Sequence, residues 1–179
     1  MFTAHRTARL SVAAIGAVFA ALAAPALLVN AEPAAPGTTV PLGGGAGIVV
    51  NGDTYCTLTS IGTDKTGALI GFTSAHCGGP GAPVAAESDA DRNVVGTMVA
   101  GNDELDYAVI RFDPEKVDPV SNWNGFVIDG LGPDPAFGQV ACKLGRTTGY
   151  SCGVTWGPGE DPGTIVNQVC GQPGDSGAP

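Results

Sequence analysis

The hydrophobic positions beyond residue 46 fall into short runs rich in valine, isoleucine, threonine and tyrosine. Turn-forming dipeptides separate the runs, for example Asn51-Gly52 and Asp113-Pro114. Short strands punctuated in this way are typical of an all-β sandwich or barrel, and no helical period is sustained in this part of the chain. The runs predicted to be strands are 47–51, 55–61, 68–74, 94–100, 107–112, 139–144, 153–156 and 164–170.

Two segments rich in proline lack any apolar period and divide the chain. The first, 32–46, is predicted to be flexible, and the second, 113–135, is predicted to connect two β subdomains at 47–112 and 136–179. The 28 glycines and 14 prolines among 179 residues also disfavour long helices. The composition therefore supports the all-β prediction made from the hydrophobic pattern.

The first part of the chain has the order of features found in an export signal. Arg6 and Arg9 precede an apolar run at 10–29, and small or tolerated residues follow it at a position suited to cleavage. This order predicts that residues 1–31 are a secretory signal peptide. An uncleaved membrane anchor is the alternative, because about 20 apolar residues can span a bilayer. Pro25 and the alanine-rich composition favour cleavage, so we expect a secreted protein without membrane contact after signal removal.

The charge excludes some partners. The formal net charge is −9 and becomes more negative when the leader and its arginines are removed. A polyanion is repelled by nucleic acid phosphates and by anionic lipid. Binding of nucleic acid is therefore not expected.

The five cysteines become interpretable if the chain is exported, since thiols in an oxidising compartment are expected to pair. Five is an odd number, so either one thiol is free or its partner lies outside this sequence. The sequence stops at Pro179, nine residues beyond Cys170, where a further strand is expected. We therefore expect that the sequence is truncated.

Three side chains stand out as candidates for chemistry. His5 lies in the leader, so imidazole chemistry in the mature protein must use His76, which follows an apolar strand in Thr-Ser-Ala-His-Cys. Asp106 is a carboxylate that enters a strand with core-facing character, where it needs a donor such as an imidazole N–H. Taken alone, Asp106 is more typical of a turn or strand edge. The third candidate is Ser176.

Ser176 lies in the tetrapeptide Gly-Asp-Ser-Gly at 174–177. Glycines allow the backbone to bend so that successive N–H groups point into one concavity and the alcohol between them is presented to a substrate. A simple Gly-Asp-Ser turn is the alternative.

These segments, taken in order, resemble those of the chymotrypsin-like serine endopeptidases, in particular the small secreted bacterial branch of alpha-lytic protease and streptogrisin type. Segment 73–77 resembles the one bearing the general base, 106–110 the one bearing the orienting carboxylate, and 174–179 the one bearing the nucleophile. The order His, Asp, Ser is that of this family and differs from the order in subtilisins and α/β-hydrolases. Segment 142–152 also resembles a hairpin that is closed by its own disulfide in this family.

The resemblance implies an all-β fold of two six-stranded antiparallel Greek-key barrels of chymotrypsin type, with the second barrel incomplete because the chain stops at residue 179. It implies disulfides between Cys56 and Cys77 and between Cys142 and Cys152. Cys170 would then be left unpaired by the truncation.

The function that the resemblance implies is that of a secreted serine endopeptidase, which cleaves peptide bonds through an acyl-enzyme. Ser176 would be the nucleophile, His76 the general base and Asp106 the group that orients the imidazole. The backbone N–H groups of Gly174 and Ser176 would form the oxyanion hole. The implied protein is a monomer that acts on polypeptides and needs no metal or organic cofactor. These expectations concern the intact gene product.

Two alternatives keep the β fold without the chemistry. One is an inactive secreted binding or adhesion protein that retains the protease fold, and the other is a purely structural disulfide-linked β protein. The presence of all three candidate side chains disfavours the inactive form, because a protein that has lost catalysis tends to lose at least one of them.

Overall fold

The computed structural model describes residues 39–179, and the predicted signal peptide lies outside them. Apart from one 3₁₀ turn at Ala75–Cys77, the regular structure of these residues is entirely β, and no helix in this range has the length and apolar content needed to span a membrane. The strands are β1 (Val40–Leu42), β2 (Gly47–Val50), β3 (Thr54–Thr57), β4 (Ser60–Thr63), β5 (Leu69–Thr73), β6 (Pro83–Ala86), β7 (Val94–Asn102), β8 (Tyr107–Phe112), β9 (Val117–Pro119), β10 (Asn122–Trp123), β11 (Phe126–Val127), β12 (Val140–Gly145), β13 (Gly149–Pro158) and β14 (Ile165–Asn167).

The main sheet is so strongly curled that its two edge strands, β3 and β4, follow each other directly in the chain. Its order is β3-β2-β6-β7-β8-β5-β4, and all its pairs are antiparallel. Between β3 and β4, Leu58 N–H donates to the Ala46 carbonyl at 2.8 Å on one side, and Thr59 N–H donates to the Phe72 carbonyl at 2.7 Å on the other. With β3 and β4 counted as one interrupted strand, the curled antiparallel sheet has six strands.

The barrel is filled by the alternating side chains of its strands. In β8, Ala108, Ile110 and Phe112 are buried, whereas Tyr107 and Arg111 are exposed and Val109 is half-buried. This period of two places every second side chain in the core. Other residues that are completely or almost completely buried are Leu42, Ile48, Val50, Leu58, Val84, Val95 and Met98.

A smaller sheet of three strands follows, with the order β12-β13-β14. β12 and β13 form an antiparallel hairpin in which Cys142 and Cys152 are paired across the strands, with Cα atoms 4.0 Å apart, and their sulfurs form a disulfide. A second disulfide joins Cys56 of β3 to Cys77 after β5. Cys170 is exposed and has no disulfide partner among residues 39–179.

Several elements were not predicted from the sequence. β1 lies inside segment 32–46, which was expected to be flexible, and pairs in parallel with β9 inside the expected connector. Leu42 at the end of β1 is completely buried. β6 was missed as well, because Pro83–Ala86 combines a proline with small alanines and shows no alternation. Strands of three or four residues carry too little pattern to be recognised without their partners.

Peptide mapping of the oxidised intact gene product is expected to find Cys142 joined to Cys152 in a single short peptide pair. The two residues face each other in the hairpin, whereas Cys56 lies in a different sheet. A bond between Cys142 and Cys56 would contradict the separation of the two sheets.

Candidate active site

The pairing of β5 with β8 explains why His76 and Asp106 meet. Thr73 at the end of β5 lies opposite Ala108 near the start of β8, because the strands are antiparallel. His76 follows β5 in the 3₁₀ turn, and Asp106 immediately precedes β8. Both side chains therefore leave the barrel at the same edge, although 30 positions separate them in the sequence.

The imidazole of His76 lies between a carboxylate and a hydroxyl. Its Nδ1 is 2.9 Å from Oδ1 and 2.8 Å from Oδ2 of Asp106, and its Nε2 is 2.8 Å from Oγ of Ser176. A carboxylate can only accept, so Nδ1 carries the proton and Nε2 is left to accept from the Ser176 hydroxyl. The structure thus brings together the three side chains that were predicted from separate parts of the sequence.

The backbone also holds the Asp106 carboxylate. The His76 N–H donates to Oδ1 at 3.0 Å. Partial burial raises the pKa of Asp106, but the hydrogen bonds from the His76 backbone and imidazole outweigh it, so the pKa lies below its usual value. Asp106 has a φ of 47°, in the left-handed region that aspartate and asparagine tolerate better than most residues. The turn before it is closed by Leu105 N–H, which donates to Asn102 Oδ1 at 2.7 Å.

The loop that carries Ser176 requires the glycines on either side. Gly174 has a φ of 96° and Gly177 a φ of 85°. A Cβ on Gly177 would lie 2.3 Å from the Thr57 carbonyl oxygen, a distance that real side chains do not reach. The loop approaches the barrel so closely because Thr57 N–H donates to the Ser176 carbonyl at 2.8 Å. Thr59 Oγ1 also donates to the Gly177 carbonyl at 2.7 Å.

Two backbone N–H groups next to the Ser176 hydroxyl have no acceptor within the part of the chain that the structure describes. Among residues 39–179, neither Gly174 N–H nor Ser176 N–H donates to another group, although Gly174 is buried. Buried backbone donors are almost always paired in folded proteins. Two free donors in one turn are suited to stabilising a negatively charged oxygen.

The carboxylate of Asp175, the residue between Gly174 and Ser176, is held by β12, by the turn between β12 and β13, and by its own loop. Its carboxylate accepts hydrogen bonds from the backbone N–H groups of Thr147, Thr148 and Gln172, each at 3.0 Å. Thr148 Oγ1 donates at 2.7 Å and Lys143 Nζ at 3.0 Å. Burial raises the pKa of Asp175, but the hydrogen bonds from Thr148 and Lys143 outweigh it, so the pKa lies far below its usual value.

Replacing Asp175 by asparagine is expected to lower the free energy of unfolding at pH 7 by about 3 kcal/mol, because it leaves Lys143 without its buried partner. The pKa of Asp175 is lower in the folded than in the unfolded protein. Its carboxylate therefore contributes fully to the free energy of unfolding above the unfolded-state pKa of about 3.9, and this contribution is lost as the pH falls toward and through the folded-state pKa. The difference between wild type and variant should therefore shrink below about pH 4.

Urea unfolding of both proteins at several pH values between 7 and 2.5 measures this difference. Asp129→Asn is the matched control, because Asp129 is exposed. A difference between wild type and Asp175→Asn that is the same at every pH would contradict the role assigned to the ionised carboxylate.

Sequence analysis did not identify the partners of Asp175. Lys143 lies 32 positions away and the donors in the hairpin turn 27 and 28 positions away. No group of three or more histidine, cysteine, aspartate or glutamate side chains in the described part of the chain is arranged to hold a metal ion.

No family model matches the chain. Solved structures do: Nocardiopsis protease is 24% identical with a TM-score of 0.61, and the match covers 78% of this chain and 77% of that one. Cellulomonas bogoriensis chymotrypsin is 27% identical with a TM-score of 0.55, covering 78% and 76% respectively. Alpha-lytic protease homolog N4 is 26% identical with a TM-score of 0.52, covering 76% of each chain.

The described chain thus has the fold of the bacterial chymotrypsin-like serine proteases and spans about three quarters of the length of those structures. This likeness confirms the all-β fold class and the resemblance stated from the motifs.

Proposed function

We propose that the protein is a serine-type endopeptidase that cleaves polypeptides with Ser176 as its nucleophile. The observation that carries this proposal is the continuous hydrogen-bonded series from Asp106 through His76 to Ser176, with 2.8 Å contacts on both ring nitrogens. The likeness to solved serine proteases supports the same class of enzyme.

The series explains how a serine hydroxyl becomes reactive. As Ser176 Oγ attacks the carbonyl carbon of the scissile bond, its proton passes to His76 Nε2. The imidazolium then gives this proton to the departing amine, and an ester between Ser176 and the acyl part of the substrate remains. Water attacks the ester with His76 again as the base, which frees the acid and restores the hydroxyl. Asp106 holds the ring in the tautomer that each step requires and stabilises the imidazolium.

Negative charge develops on the carbonyl oxygen when Ser176 adds to it. The free N–H groups of Gly174 and Ser176 are the donors proposed to stabilise this oxyanion. Removal of one such donor typically costs about 3 kcal/mol of transition-state stabilisation. Position 174 requires glycine, because a Cβ there would lie 2.5 Å from Thr147 Oγ1.

Secretion is part of the proposal. The two disulfides favour an oxidising compartment, since cytosolic thiols are kept reduced. The predicted signal peptide at residues 1–31 would direct the chain there. In that location the substrates would be extracellular polypeptides.

Labelling of the intact gene product with a fluorophosphonate tests the enzyme proposal. The adduct is expected on Ser176, because only a serine activated by a neighbouring base reacts rapidly with this reagent. Ser176→Ala should remain unlabelled, whereas Ser88→Ala, which removes an exposed serine, should label like the wild type. Labelling of Ser176→Ala at the wild-type rate would overturn the proposal, and an unlabelled wild type would favour an inactive binding protein of the same fold.

A further inference from the structure

Two threonine hydroxyls hold the two backbone carbonyls that precede Asp175. Thr147 Oγ1 donates to the carbonyl of Pro173 at 2.8 Å, and Thr57 Oγ1 donates to the carbonyl of Gly174 at 2.8 Å. Thr147 belongs to the turn between β12 and β13, whereas Thr57 ends β3 and is completely buried. Both carbonyls are therefore held by side chains that do not belong to the loop carrying Ser176.

The first of these bonds determines where the Gly174 N–H points. The N–H and C=O of a trans peptide unit are directed to opposite sides, and no peptide bond among residues 39–179 is cis. Holding the Pro173 carbonyl toward Thr147 therefore directs the Gly174 N–H, one of the two free donors, to the opposite side. Glycine does not itself prevent rotation of this peptide unit, because it populates a wide range of φ and ψ. The restraint has to come from other residues.

Arg146 links the two hydroxyls. Its Nη1 donates to Thr147 Oγ1 at 3.0 Å, and its backbone N–H donates to Thr57 Oγ1 at 3.1 Å. Each hydroxyl has one proton, so an oxygen that accepts from Arg146 has its own proton available for the loop carbonyl. The guanidinium is held in turn by a bidentate pair with Glu87, which follows β6 in the barrel, with Nε 2.7 Å from Oε2. It also lies over the ring of Tyr55, 4.9 Å from its centroid.

We propose that Thr147 is a positioning residue that sets the direction of the Gly174 N–H for oxyanion binding, that Thr57 holds the following peptide unit and so limits rotation about the same glycine, and that Arg146 orients both hydroxyls. This inference rests on the proposed function and identifies side chains, outside the series of His76, Asp106 and Ser176, on which the rate depends. Because the oxyanion forms only during the reaction, loss of either hydroxyl should lower kcat with little change in KM.

Thr147→Val removes one hydroxyl with little change of shape at an exposed position. The second-order rate constant of fluorophosphonate labelling is expected to fall about 3- to 10-fold, the range for one hydrogen bond between neutral groups. Thr147→Ser should restore the rate to within about twofold, since it restores the donor. Thr164→Val is the matched control: Thr164 Oγ1 donates to the carbonyl of Asp161 in a distant turn, and the labelling rate should not change.

Thr57→Val should have a larger effect on the labelling rate, about 10- to 100-fold, because it removes two hydrogen bonds: the one that holds the Gly174 carbonyl and the one that holds the backbone of Arg146, which orients Thr147. Thr57→Ser keeps the donor and should retain most of the rate. If Thr57→Val does not fold, the labelling rate of Thr147→Val still tests the proposal. If the wild type is labelled and Thr147→Val is labelled at the same rate, the proposal is overturned.

NMR of protein labelled with carbon-13 and nitrogen-15 gives a readout that does not depend on activity. The carbonyl resonance of Pro173 and the amide resonances of Gly174 should shift in Thr147→Val and return in Thr147→Ser, whereas the resonances of β7 and β8 should not move. Unshifted Pro173 and Gly174 resonances would overturn the inference even if the protein is an active enzyme. An unlabelled wild type with the expected shifts would instead contradict the proposed function and leave the orientation of the peptide unit established.

Discussion

Replacement of Ser176 by alanine is expected to lower kcat for peptide hydrolysis about 10⁶-fold. The hydroxyl is the only nucleophile within hydrogen-bonding distance of His76 Nε2 among the residues that the structure describes. Alanine leaves the loop intact, because the bond from Thr57 N–H to residue 176 uses its backbone carbonyl. The residual rate over water would come from substrate binding and from the free N–H groups.

Hydrolysis of a chromogenic peptide by the intact gene product measures this loss, with Ser88→Ala as the control for removal of a serine elsewhere. Circular dichroism should be the same for both variants. A loss of less than tenfold in Ser176→Ala would show that another group attacks the substrate.

Asp106→Asn is expected to lower kcat about 10⁴-fold while leaving the fold unchanged. The aspartate only accepts from His76 Nδ1, whereas an asparagine amide can donate to that nitrogen and stabilise the other tautomer. In that tautomer the proton lies on Nε2, which can then no longer accept from Ser176. The imidazolium formed during the reaction also loses its counter-charge.

The backbone around residue 106 should accept asparagine, because its φ of 47° lies in the region where asparagine is also enriched. Asp103→Asn is the control, since it makes the same chemical change at an exposed position in the same turn. Steady-state kinetics of the two variants distinguish the roles. A rate for Asp106→Asn within tenfold of wild type, or an equal loss in both variants, would contradict the orienting role of Asp106.

The candidate site could be predicted from sequence because its side chains lie in compact local motifs. The two glycines beside Ser176 are visible in the sequence and indicate a sharp turn. The structure shows that both have positive φ, which glycine adopts without strain. His76 was the only histidine available outside the leader. The distances between the three side chains could not be predicted in this way, because they depend on the pairing of β5 with β8 and on the bond from Thr57 N–H to Ser176.

The groups that support the site were much harder to predict. Lys143 contacts Asp175, and Thr57 contacts Gly174, across 32 and 117 positions of sequence. A threonine in a strand or a lysine before a turn is unremarkable in composition and pattern, so only the folded arrangement reveals these contacts. The same holds for β1, whose three residues form a strand only because β9 lies beside them.

Proton and nitrogen-15 NMR of the His76 imidazole in the intact gene product tests most directly whether its ring joins Asp106 to Ser176 in solution. The account predicts a low-field Nδ1–H resonance that reports a hydrogen bond to a carboxylate and is lost in Asp106→Asn. It also predicts that the Nε2 nitrogen resonance shifts in Ser176→Ala while the Nδ1–H resonance persists. An imidazole whose Nδ1–H exchanges freely with water, and whose resonances are the same in all three proteins, would contradict it.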